Sequence, residues 1–137
     1  MEFENAKQKA IKFIGISKKT EYEVKQKLLR LGYNQDIVDM VISYLLNIGY
    51  VDDSDYVKSF IKQNERFMKY SIFEIKQKLL QKGIKKDIIE EEIVVLDKSD
   101  YDKKLCEKIL TSKCKSMDEL KIKQYLYRRG LKKDIDE

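Results

Sequence analysis

The sequence predicts an all-α fold: an elongated array of tandem three-helix repeats, about eight to nine helices in all, with the last one truncated. Three observations predict it. The phrase "EVKQKLLRLGYNQDI", Glu23 to Ile37, returns as "EIKQKLLQKGIKKDI", Glu74 to Ile88. The chain of 137 residues has no proline and only five glycines, so helices run on until Gly, Asp, Asn or Ser stops them. Charged residues make up 39% of the chain, against about 25% in an ordinary domain, which leaves narrow apolar faces suited to thin helical packing.

The glycine that ends the phrase sets the register. Gly32 and Gly83 match, and Gly130 matches again behind "IKQYLYRRG", an internal repeat of supersecondary size. The units are then residues 1–49, 50–97 and 98–137. In the first, Ala6, Ala10, Ile11, Phe13 and Ile14 give an opening helix its apolar face. The phrase itself is the second helix. It opens on a capping box, Thr20 with Glu23, and stops at Gly32, which takes a left-handed conformation at no steric cost. A third helix starts at Asp36, with Ile37, Val38, Val41, Tyr44, Leu45 and Ile48 on one face.

The second unit repeats this plan. Tyr56, Phe60, Ile61, Phe67 and Met68 form the opening stripe, Ser71 with Glu74 the box, and Asp87 the start of the last helix. In the third, "SDYDKKL" from Ser99 echoes "SDYVKSF" from Ser54, with Tyr101, Leu105 and Ile109 as its stripe. Ser116 with Glu119 supplies the box, and only Asp134 to Glu137 remain of the last helix. Connections are 3–6 residues, and no segment has strand periodicity.

Charge and chemistry narrow the function. The net charge is +5. Residues 98–137 carry 12 basic and 8 acidic side chains, net +4, whereas residues 51–97 carry 9 and 10, net −1. The basic third favours a polyanion or an acidic protein surface. The chain has no histidine, which removes histidine-based nucleophilic catalysis and His-ligated zinc. No Gly-rich phosphate loop, nucleophile elbow or metal-ligand cluster is present, and no enzyme activity, metal or cofactor is expected. "DDSD", Asp52 to Asp55, lacks the glycine turn and distal Glu of a calcium loop and reads as a helix cap. Cys106 and Cys114 lack a CxxC spacing and read as two reduced thiols in a cytoplasmic protein. No apolar run approaches 18 residues, so no membrane span is expected.

"GYVDDSDYVKSFI" (Gly49 to Ile61), "EIKQKLLQKGI" (Glu74 to Ile84) and "KIKQYLYRRGL" (Lys121 to Leu131) together resemble the RecX family, bacterial regulators of the RecA recombinase. The first looks like the family's Gly-Tyr-(Leu/Ile)-Asp-Asp signature, with Val51 at its third place. The chain departs from the family pattern at Ser17, where Arg is common, and at Tyr70-Ser71, where Gly-Pro is common. The resemblance implies a non-enzymatic monomer that binds RecA and its filament on single-stranded DNA. There it would modulate, chiefly inhibit, ATP turnover and strand exchange in recombination, DNA repair and the SOS response. Direct DNA contact stays open.

The residues offered to that partner are basic. Lys25, Lys76 and Lys123 fall inside the apolar arc of each phrase helix, either snorkelling over a seam or forming a row of one lysine per unit. A second cluster follows the phrases: Arg30; Lys82, Lys85 and Lys86; Lys121, Tyr127, Arg128, Arg129, Lys132 and Lys133. "YLYRRGLKK" interleaves aromatic and basic groups, which suits phosphate contact and stacking. A helix–glycine–helix also suggests base reading, but Asp36, Asp39, Asp87, Glu90, Glu91 and Glu92 on the following helices would repel phosphates. Sequence-independent nucleic-acid binding, or a helical scaffold for another partner, is the alternative.

Overall fold

The structure, a computed structural model, describes residues 2–112 and 117–131. Among them it contains eight helices and no strand: α1 (Glu2–Ile16), α2 (Glu21–Arg30), α3 (Gln35–Asn47), α4 (Asp53–Phe67), α5 (Ile72–Gln81), α6 (Lys86–Lys98), α7 (Tyr101–Ser112) and α8 (Glu119–Arg128). They fall into the order the repeat predicts. The phrase helices α2, α5 and α8 are ten residues each and end on the same turn. The residue after each glycine bonds back five positions: Tyr33 N to Leu28 O, Ile84 N to Leu79 O, Leu131 N to Leu126 O. That closure requires the glycines' positive φ, +97° at Gly32, +78° at Gly83 and +76° at Gly130.

The capping boxes of α2 and α5 are present. Glu23 N donates to Thr20 Oγ1 and Thr20 N to Glu23 Oε1; Ser71 and Glu74 repeat both bonds. Each is worth about 1 kcal/mol. The third box is displaced by two residues. Asp118 caps α8, accepting from Lys121 N at 2.8 Å. Ser116 lies outside the described residues, and Glu119 is the first helical residue. Asp36 and Asp87 do not open their helices. Asn34 caps α3, and α6 begins behind Lys85 with no side-chain cap. Asp134, and with it the truncated last helix, lies outside the described residues.

Apolar burial is split in two. Ala6, Ala10, Val24, Leu28, Val38, Val41, Leu45 and Val51 close one core under α1–α3. A second core runs unbroken from Val57 to Leu131 under α4–α8. The third unit thus shares its core with the second, while the first keeps its own. The accessible surface is 9312 Å², against roughly 7500 Å² for a compact monomer of this mass.

Candidate partner-binding surface

The units are joined by one clasp used twice. Twelve residues before each glycine stands a side chain that caps its helix: Thr20, Ser71 and Asp118. Thr20 and Ser71 are fully buried and do a second thing. The Thr20 hydroxyl donates to Lys82 O at 2.7 Å, in the glycine turn of the next unit, and the Ser71 hydroxyl donates to Arg129 O in the turn after that. A hydroxyl can accept from its own helix and donate outward at once; the carboxylate of Asp118 can only accept.

Each remaining part of the clasp also recurs. The first helical amide, Glu21 N or Ile72 N, donates to the carboxylate of Asp53 or Asp102 at 2.9 Å. Glu23 pairs with Lys82 at 3.2 Å, and Glu74 with Arg129 at 2.9 Å. Tyr22 and Phe73 lie directly against Gly83 and Gly130, where an added Cβ would run into the Tyr22 ring and into the Cβ and ring of Phe73. Asp53 thus matches Asp102, 49 residues on. The wording "SDYVKSF" against "SDYDKKL", 45 apart, paired positions that are not equivalent: Tyr101 opens α7, whereas Tyr56 sits in the second turn of α4.

Burial sets the titration of these groups. Desolvation raises Asp53 and Asp102 above the ordinary aspartate value, against the amide bonds from Glu21 and Ile72 that lower them. Burial also pushes on Glu74, but its hydrogen bonds from Arg129 and Ser71 N–H outweigh it and hold the carboxyl below the usual range. Lys82 is raised by its bond to Glu23. Burial drives the Tyr101 phenol up to about 12, where its hydroxyl donates to Tyr70 O and fastens α7 to the second unit.

Through these clasps the C-terminal turn of α5 meets the N-terminus of α2, and that of α8 meets the N-terminus of α5. The three phrase helices therefore follow one another end to end, each roughly 15 Å long. Positions spaced three and then four apart share one helix face. On that face stand Tyr22, Lys25 and Leu29; Phe73, Lys76 and Leu80; Leu120, Lys123 and Tyr127. The apolar members are largely open: Tyr22, Phe73, Leu80, Leu120 and Tyr127 are all exposed, Tyr127 at 83%. An apolar–lysine–apolar triplet thus recurs once per unit along the row.

The predicted basic residues separate by role. Lys25 and Lys76 are half-buried on this face, Lys76 pairing with Glu90 at 3.5 Å; Lys123 is exposed. Arg30, Lys85, Lys86, Lys121 and Arg128 are exposed at helix ends. Lys82 and Arg129 are clasp residues: Arg129, with a side chain only 17% exposed, holds Glu74 and also donates to Lys69 O. Lys132 and Lys133 lie outside the described residues. The acidic run is likewise occupied. Asp52 caps α4, Asp53 takes the Glu21 amide, and Asp55 pairs with Lys18 at 2.6 Å. Among the described residues no cluster of His, Cys, Asp or Glu is placed to hold a metal ion, and no helix is long and apolar enough to cross a membrane. Counting twelve back from each glycine would have found the clasp hydroxyls; their partners, some sixty residues away, leave no local signal.

Comparison with known proteins bears on this architecture directly. Residues 6–45 match the family model for RecX, first three-helix domain, and residues 52–92 match that for RecX, second three-helix domain. The chain is 37% identical over 128 residues to the regulatory protein RecX of Clostridium botulinum (strain Eklund 17B / Type B), which covers 90% of this chain and 59% of that protein. It is 32% identical over 109 residues to the regulatory protein RecX of Streptococcus mutans, over 80% of this chain and 42% of that one. The chain therefore spans about half the length of the curated relatives it matches. The crystal structure of RecX from Lactobacillus salivarius superposes with a TM-score of 0.81 at 25% identity, over 98% of this chain and 91% of that one.

Proposed function

The chain belongs to the RecX family, and from that membership we propose that it is a cytoplasmic, non-enzymatic monomer that binds RecA filaments on single-stranded DNA and lowers their ATP turnover and strand exchange. The observation that carries the surface part of this reading is the triplet repeated along α2, α5 and α8. A periodic row of apolar and cationic groups suits a partner that is itself periodic and presents carboxylates or phosphates between apolar patches. Each apolar side chain contributes only modestly alone; three registered copies act together through effective concentration. Beyond the two domain matches, α7 and α8 extend the row, since α8 carries the same triplet and α7 the same clasp aspartate.

The test is titration of the protein into RecA assembled on single-stranded DNA, reading ATP turnover. The wild type lowers it. The pair Tyr127→Ala with Arg128→Glu, both exposed and outside the clasps, raises the concentration needed for half inhibition about tenfold with unchanged helicity. Undiminished turnover with wild type overturns the RecA reading; unchanged inhibition by the pair removes α8 from the contact.

A further inference from the structure

The two seams share a clasp but not what surrounds it. At the second seam the clasp stands on a continuous core: Ile72, Leu105, Ile109, Leu126 and Leu131 belong to one buried cluster. The connection there is two residues, Ser99 and Asp100, with Asp100 in a left-handed turn. At the first seam the equivalent of Ile72 is Glu21, the buried cluster stops at Val51, and a new one begins at Val57. A further cross-contact is polar: Lys18 reaches Asp55 and Ser59 at 2.6 Å and 2.7 Å. The connection is longer, residues 48–52, and contains Gly49 at φ +78°.

Space has also been left there. Among the described residues, three open clefts border this seam. One of about 360 Å³ lies between Glu21, Leu46, Gly49, Asp53, Lys85 and Ile88. Others of about 140 and 250 Å³ lie beside Lys18, on either side of Tyr56. Well-packed interiors resist shear because filled space has no alternative arrangement; a polar seam flanked by open space does not. Polar and charged pairs re-form at small cost after a few ångströms of sliding, since water replaces them meanwhile.

We propose that the molecule is a two-body hinge. The first unit, α1–α3, turns as a rigid body against the second and third, α4–α8, about residues 48–52. The Thr20–Lys82 clasp is the contact that opens and closes. The apolar core holds the second seam shut, so curvature of the array changes at one place only.

Two amides test this without altering the protein. Glu21 N–H and Ile72 N–H are both first-turn donors whose partner is a carboxylate of the next unit. After correction for intrinsic rates, Glu21 N–H is expected to exchange at least tenfold faster than Ile72 N–H. The α2 amides of Leu28 and Leu29 should stay protected, which separates hinge opening from unfolding of the unit. Equal exchange at Glu21 and Ile72, or loss of protection throughout α2, overturns the hinge. Spin labels give its amplitude, placed at Lys12→Cys with Lys62→Cys across the first seam and Lys62→Cys with Lys104→Cys across the second. Both are built in a Cys106→Val, Cys114→Ser background. The first pair should give a distance distribution about twice as broad as the second; equal widths overturn the proposal.

Discussion

Between the first and second units, the clasp of Thr20, Glu21, Tyr22 and Glu23 closes over open space and an acidic helix start. Between the second and third, the same clasp of Ser71, Ile72, Phe73 and Glu74 closes over buried Ile, Leu and Tyr side chains. The hydroxyl, amide and ion-pair bonds of the clasp correspond; one substitution, Glu21 against Ile72, marks where the apolar layer is interrupted. Directional bonds set the register of one unit on the next, and apolar area sets how firmly that register is held. In an array of nearest-neighbour contacts the two can be tuned separately at each junction.

The comparison is most severely tested at the glycines. Gly83→Ala and Gly130→Ala combine a left-handed backbone with a methyl driven into the base of Tyr22 or Phe73, and each is expected to cost about 2–4 kcal/mol. Gly32→Ala meets open space and should cost only the conformational share, about 1–2 kcal/mol. Urea denaturation of the three variants decides; equal losses at all three would mean that the rings do not bear on the turns.

A smaller difference is expected between the two cations. Arg129→Met takes the cation from Glu74, which keeps only the Ser71 amide, and the donor from the Lys69 carbonyl, and should cost about 1–3 kcal/mol. Lys82, with its side chain 46% exposed, should lose less than about 1 kcal/mol on the same change. Reversal of that order would place the stronger clasp at the first seam.

The Glu74 carboxyl adds a pH signature. Its native value lies below the ordinary 4.5, so its contribution is complete above 4.5 and disappears as pH falls through the depressed native value. Glu74→Gln should therefore destabilise by about 1 kcal/mol at neutral pH and match the wild type in acid. A loss independent of pH would assign the effect to packing.

Much of this was readable in the sequence. The repeat, the phrase helices and two capping boxes follow from local chemistry, because caps and glycine stops act within one turn. The third box was misplaced because Ser116 and Glu119 satisfy the motif, while Asp118 sits at the twelve-residue spacing from Gly130 that Thr20 and Ser71 keep from their glycines. Asn34 and Lys85 displaced Asp36 and Asp87 as helix starts for a related reason: an acidic residue is as welcome inside the first turn as before it. Lys82 and Arg129 looked like partner-binding cations because what they hold comes from the preceding unit. Which lysines are spent inside the array depends on how units meet, and that is set at long range.

The most direct measurement is residue-resolved urea unfolding followed by amide resonances. Two cores separated between Val51 and Val57 predict that the amides of α1–α3 lose their native signals with one midpoint, and those of α4–α8 together with another. A single midpoint shared by Leu28, Leu79 and Leu126 would show one cooperative core and contradict the account.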